Sequence, residues 1–425
     1  MSSLAVLHAS QLVTIAGPSR ARRGKELGEL QIIPDGGFIA ADRKITHVDT
    51  SSEIEKLCAR QTQMIDASNC VVLPGFVDAH THLVFAGNRL ADFSARARGE
   101  TYEQIAKSGG GIQTTVQATR AASEADLSAL AKKHANWFLR GGTTTVEAKS
   151  GYGLTVEDEL KILRVVRRVG TETPLETVST FLGAHAFPAE FRQDHAGYIS
   201  LIVKEMLPQI AQEKLAEYCD VFCEQNYFNL EDSRRILAVA KQHGLKLRMH
   251  VDQLSNGGGA MLAAELGATT ADHLEQTPLD GINALAGSGV QPVLLPGSVY
   301  ALGSNKYPHA RAMIDAGLAV VLATDFNPGS SPSASMPMML SLAVTQMRMS
   351  PAEAITAATI NAAASLNRVD QIGSLEGGKL ANFAIYDCQD YRELAYWFGV
   401  SLLRDVFVHG KRVARPSVLS AMTSR

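Results

Sequence analysis

The sequence predicts an α/β protein, a (β/α)8 barrel carrying a small β domain assembled from both ends of the chain. Three observations lead there. From about residue 71, short apolar runs alternate with long amphipathic stretches, the pattern of parallel strands joined by crossover helices. The apolar runs number eight, which closes a barrel. Before residue 71 and after residue 370, the style changes to short alternating segments broken by Gly, Pro and charged clusters. With 425 residues, 46% of them hydrophobic and 20% charged, the chain can bury a large core. Its net charge of −3, with no basic stripe, argues against nucleic acid as a partner. Five scattered cysteines do not suit a disulfide framework and fit a reducing compartment, so the cytoplasm is expected. The opening "MSSLAVLHASQLVTI" lacks the basic and apolar regions of a signal peptide, and no apolar run suggests a membrane span.

In chain order, "LAVLHASQLVTI" and "GGFIAADRKITHVDT" read as strands of the small domain. The eight barrel strands follow as "VVLPGFVDAH", "TTTVEAKS", "LETVSTFLGAH", "YCDVFCE", "LKLRMHV", "ATTADHL", "VQPVLLP" and "AVVLATD". Helices between them are expected at "EADLSALAKKHANWFLRG", "TVEDELKILRVVRRVG" and "SRRILAVAKQHG". "GSLEGGKLANFAIYDC" and "VSLLRDVFVHGKRV" then return to the small domain. The expected division is 1–70 plus 371–425 for the composite β domain and 71–370 for the barrel.

A barrel of this kind puts its active site at the carboxyl ends of the strands. His80, His82, His185, His250, His273 and Asp325 all fall at such ends, whereas the other seven of the twelve histidines do not. His80 and His82 are two apart on an extended strand, so both imidazoles leave the same face. His250 and Asp325 would complete a site of three nitrogens and one oxygen, suited to zinc or ferrous iron. For any single histidine, a hydrogen-bonded core or surface role competes with this reading.

"PGFVDAHTHLVFAG", followed in order by "MHVDQ", "ADHLEQT" and "LATDFNPGS", resembles the metal-dependent amidohydrolase superfamily. "HLVFAGNR", "EAKSGYGL", "TFLGAHAFP" and "TDFNPGSSP" are similar to the branch that opens the ring of 4-imidazolone-5-propanoate to give N-formimidoyl-L-glutamate in histidine degradation. The resemblance implies a TIM-like barrel of the amidohydrolase type with a small β-sandwich, hydrolysis of a cyclic amide C–N bond by a metal-bound hydroxide, and a homodimer. It implies one metal ion per chain, with zinc or iron placed first, held by His80, His82, His250 and Asp325. Asp325 would also move the proton to the departing ring nitrogen, and His273 would sit beside the attacking water, with a purely structural role for His273 left open.

The resemblance makes Arg89 the anchor of the propanoate, through the paired hydrogen bonds a guanidinium offers a carboxylate. It places Tyr152, His185, Asn327, Gly329 and Ser330 around the substrate. Gln253 stands where the superfamily's deaminases usually have a glutamate; an amide cannot act as a base but can bind the ring, so Gln253 is assigned to substrate binding. The alternative function is another cyclic amidase or a heterocycle deaminase. Lys149 lies on the second strand, not the fourth, where binuclear relatives carry a carboxylated lysine; a single metal is therefore expected, with Glu224 structural or a second-metal ligand. Arg96, Arg98 and Arg120 are expected to be solvated or structural, and Cys219 and Cys223 to pack in the core. "SGGGIQ" at 108–113 and "SNGGGA" at 255–260 are expected to be loops over the barrel mouth.

Overall fold

The computed structural model describes residues 3–100, 104 and 109–414. Two eight-stranded sheets organise them. The first takes β1 (Ser3–Val13), β2 (Ile32–Ala41), β3 (Lys44–Thr50), β4 (Gln63–Asp66) and β5 (Val71–Pro74) from the start of the chain. The barrel follows as β6 (Phe76–Thr81), β7 (Thr143–Lys149), β8 (Glu176–Ala184), β9 (Tyr218–Cys223), β10 (Lys246–Val251), β11 (Thr270–His273), β12 (Gln291–Leu294) and β13 (Val321–Leu322). The first sheet is then completed by β14 (Phe383–Tyr386), β15 (Leu403–Val408) and β16 (Lys411–Ala414). Its order is β16-β15-β14-β5-β1-β2-β3, with β4 beside β1, so the two ends of the chain interleave in one sheet. Phe38, Phe383 and Phe407 fill its core, the first two edge to face at 4.9 Å and the last two stacked at 4.4 Å. Of the loop expected over 108–113, Ser108 lies outside the described residues, and Ile112 and Gln113 open the helix Ile112–Ala121.

All eight expected barrel strands are present, with neighbours paired in sequence order from β6 to β13. The first differs from expectation in a way that matters. "VVLPGFVDAH" is two strands in two sheets: β5 pairs with β14 and β1, while β6 pairs with β7. Gly75 makes the joint, because a Cβ there would lie 2.4 Å from the Thr144 side chain.

Crossover helices cover the barrel where their caps dictate. Glu124–Arg140 begins at Ser123, which accepts from Asp126 N in a capping box, and Val156–Glu172 begins at Thr155, which accepts from Asp158 N. Leu230–Gln242 begins at Asn229 in the same manner. The seam between the first and last barrel strands is closed by short, specific bonds. Thr324 donates from its backbone N–H and its hydroxyl to Asp78, at 3.1 and 2.6 Å, Asp325 N donates to His80 O at 3.0 Å, and His82 N donates to Phe326 O at 2.8 Å. No helix among the described residues is long and apolar enough to cross a membrane.

Candidate active site

β6 carries His80 to the seam with His82 directly after its end, β10 bears His250 one residue before its end, β11 ends on His273, and Asp325 follows β13. Ligand atoms of His80, His82 and His250 lie within 4.8 Å of one another, as do those of His80, His273 and Asp325. His80 Nε2 and His82 Nε2 are 3.5 and 3.6 Å from Asp325 Oδ1. Both imidazoles are buried, and burial first, then neighbouring positive charge, holds them well below the ordinary histidine range, which keeps their lone pairs free for a ligand role. Burial also raises Asp325, to about 6. At His273 burial opposes the charge, yet the carboxylates of Glu275, Asp325 and Asp272 outweigh it and raise the group. Asp325 has φ +54° and His273 φ +82°, left-handed conformations that non-glycine residues hold only where the surroundings enforce them.

The donor set accepts a metal on its own chemistry. His80 Nε2, His82 Nδ1 and His250 Nε2 are buried without a hydrogen-bond partner, a state that buried polar atoms seldom keep, while His250 Nδ1 faces Asp220 Oδ2 at 3.1 Å. His80 Nδ1 donates to Asp272 Oδ2 at 2.6 Å, which leaves the Nε2 lone pair facing the cluster.

One cavity of about 510 Å³ opens beside the cluster. His82, His250, His273 and Asp325 reach its wall, together with Arg89, Tyr152, His185, Gln253, Asn327 and Ser330; His80 lies behind it. Gly329 acts through its lack of a side chain, since a Cβ there would sit 2.2 Å from Arg89 Nη1. Arg89 Nε donates to Thr115 Oγ1 at 2.9 Å, which fixes the side chain on that strip of backbone. His185 stacks on His82 at 5.0 Å and donates from Nδ1 to Gly151 O at 3.0 Å; burial pushes it down to about 3, so it is neutral. The loop carrying Tyr152 is held by Glu159, whose carboxylate accepts from the backbone N–H groups of Gly151, Gly153 and Leu154. Asn327 uses its amide inside its own loop: its oxygen accepts from Gly329 N and Ser330 N, and its nitrogen donates to Asp325 O and Ser330 Oγ. Ser330 Oγ in turn donates to Asp325 Oδ2 at 3.3 Å.

Arg96, expected to be solvated or structural, takes a structural place at the cavity wall. It lines the cavity and donates from Nη2 to Gly329 O at 3.2 Å, because the helix Leu90–Ala97 carries it back over the mouth. Arg98 pairs with Glu100 in solvent, and Arg120 holds Gly153 O. Glu224 lies outside the ligand cluster and accepts from the backbone of Leu254 and Gln225, so it shapes a loop. Cys219 and Cys223 are buried in the core.

A model of the amidohydrolase family matches residues 71–413. The imidazolonepropionase of Solibacter usitatus (strain Ellin6076) is 56% identical over 417 residues, covering 98% of this chain and 100% of the relative. The chain belongs to the imidazolonepropionase family. Its imidazolonepropionase relative from Geobacillus sp. (strain WCH70) is 45% identical over 98% of this chain and 99% of its own length. Solved structures share the fold at much lower identity. E. coli guanine deaminase superposes with a TM-score of 0.74 at 15% identity, covering 97% of this chain and 99% of that one. A triazine hydrolase variant gives 0.72 at 17%, covering 98% and 96%. Reading the imidazolonepropionase motifs in sequence missed Glu159, Asp220, Asp272 and Glu275. Glu159 sits among the acids that open a helix and the other three lie in strands or just after one, and only the fold brings each to its partner.

Proposed function

We propose that this chain hydrolyses the ring C–N bond of 4-imidazolone-5-propanoate, adding one water to give N-formimidoyl-L-glutamate. The observation that carries the reading is one cavity with a His/Asp metal cluster and Arg89 both on its wall, in a chain matched over its full length by imidazolonepropionases. His80, His82, His250 and Asp325 would hold the ion, and its donor set of imidazoles and one carboxylate fits zinc or iron. When bound, such a metal supplies Lewis-acid activation of water, whose pKa falls from 15.7 toward about 7.

The remaining steps belong to side chains. Arg89, backed by Thr115 and Gly329, receives the propanoate carboxylate through its guanidinium. Tyr152, His185, Gln253 and Ser330 hold the flat ring, with Gln253 hydrogen-bonding the amide edge and taking no proton. Asp325 takes the proton of the attacking water and delivers it to the ring nitrogen as the C–N bond breaks. Ser330 fixes that carboxylate from behind, and Asn327 holds the backbone carbonyl of Asp325. His273 steadies the charge that develops on the carbonyl oxygen, its ring oriented by Glu275 at 3.4 Å.

The proposed assignment to the cytoplasm rests on five free cysteines, four of them buried. The proposed homodimer rests on the exposed apolar run Tyr396, Trp397, Phe398 and Val400. We keep the two-part division, 1–70 plus 371–425 against 71–370, as a proposal in which Val71–Pro74 joins the first part. The test of function is to add metal-replete protein to freshly prepared substrate and follow ultraviolet loss and product mass against a chelated control. Gain of one water without ammonia supports the reading; release of ammonia, or no turnover, overturns it.

A further inference from the structure

Beneath the His/Asp cluster, five charged side chains with no exposed surface form one group, Glu147 and Lys149 on β7, Asp220 on β9, Arg248 on β10 and Asp272 on β11, while the equally buried Asp78 on β6 is taken up by Thr324 at the seam. Burying so many charges is costly unless every one is paired. Lys149 is the member that touches all three acids. Its Nζ donates to Glu147 Oε1 at 2.8 Å and Asp220 Oδ2 at 2.7 Å, and lies 3.6 Å from Asp272 Oδ2. Two of those acids also reach the cluster above. Asp272 Oδ2 accepts from His80 Nδ1, while Asp220 accepts the backbone N–H of His250 on Oδ1 and has Oδ2 3.1 Å from its ring Nδ1. Arg248 is farther from the acids, 3.8 Å from Glu147 and 3.9 Å from Asp272, and donates mainly to the carbonyls of Ala79 and Ser365.

We infer that Lys149 is the positioning residue of the metal centre, its ammonium holding Asp220 and Asp272 as the carboxylates that orient His250 and His80. This rests on the metal-site reading above. A single cation thereby sets two imidazoles on different strands, turning their Nε2 atoms toward one point. An amine so enclosed by carboxylates is a counter-ion; it has no room for the carbamate of a binuclear site.

Lys149→Met alone leaves three acids facing one arginine and risks misfolding, so the informative variant is the double substitution Glu147→Gln/Lys149→Met, which removes one charge of each sign. Glu147 touches no histidine. The metal-depleted full chain is titrated with Zn(II) against a chromophoric chelator, and separately with Co(II), whose visible absorption reports ligand geometry. The inference expects zinc affinity in the double variant to fall about 10- to 100-fold, the usual cost of losing an outer-sphere partner, with a changed cobalt spectrum, while Glu147→Gln alone stays close to wild type. A double variant that binds zinc as tightly as wild type, with the same cobalt spectrum, overturns it and leaves Lys149 a structural counter-ion of the buried acids with no part in setting the metal centre. Wild-type protein that binds neither metal overturns the metal-site reading itself.

Discussion

Arg89 is positioned by what a neighbour lacks. Gly329 lets the guanidinium lie against its backbone, and Gly329→Ala puts a methyl group 2.2 Å from Nη1. The guanidinium is the movable partner, so this variant should fold with unchanged Tm and metal content yet show a raised KM for the propanoate substrate. Arg89→Met should raise KM further, by at least tenfold, given about 1.5–3 kcal/mol for hydrogen bonds to a charged group. Equal kinetics for wild type and Arg89→Met would remove it as the anchor. Asp325→Asn should abolish turnover, since the amide cannot carry the proton. Asp325 also ties metal binding to pH. Burial raises its carboxyl to about 6 in the metal-free chain, and a ligand must be deprotonated; metal affinity is therefore full above about 6 and falls about tenfold per unit below it. His80 and His82, shifted well below their ordinary range, do not add to that slope. Zinc titrations between pH 5 and 8 should show proton release vanish at the upper end and grow toward one per ion as the pH falls below about 6, and a steeper dependence would implicate a histidine.

The loop after β7 shows how one buried acid orders a segment. Gly151, at φ +105°, brings its backbone beneath His185, and a Cβ there would meet His185 Nδ1 and Leu182 O, both at 2.9 Å. Glu159, one turn into the following helix, gathers three backbone N–H groups of that loop. Glu159→Leu should destabilise the fold by at least about 2 kcal/mol, because several buried donors lose their acceptor together, and should raise KM by releasing Tyr152. Thermal unfolding alongside kinetics checks both. In the sequence this stretch was legible as a strand followed by "SGYGL" and a helix; the role of Glu159 was not, because an acid in the first helical turn reads as an ordinary favourable charge at a helix N-terminus.

At the scale of the molecule, the strand order of the barrel and the join of both chain ends were legible, since period and turn chemistry are local properties. The double nature of "VVLPGFVDAH" was not, because an unbroken apolar run carries no mark of which sheet it enters, and only the close approach of Thr144 to Gly75 decides it. The convergence of His80, His82, His250, His273 and Asp325 was legible from their positions at strand ends. The charged layer under them was hidden, because Lys149, Asp220 and Asp272 lie far apart in sequence on three different strands. The ligand cluster spans the seam, with His80 and His82 on one side and Asp325 on the other. A bound ion should therefore stitch the first strand to the last. Chelation should lower Tm by several degrees and restoration of zinc should recover it; an unchanged Tm would mean that the hydrogen bonds of Asp78 and Thr324 alone close the barrel.

The joint at Gly75 sets an order of events during synthesis. β5, which runs directly into the strand bearing His80 and His82, takes its partner β14 from residues 383–386. A ribosome releases all four proposed ligands long before it releases that partner. Until then, the segment leading to the two histidines has one edge open and an incomplete anchor. Metal capture by nascent chains is thus expected to wait for the final strands, and the cell would meet an unfinished barrel that has every ligand but does not yet hold its ion.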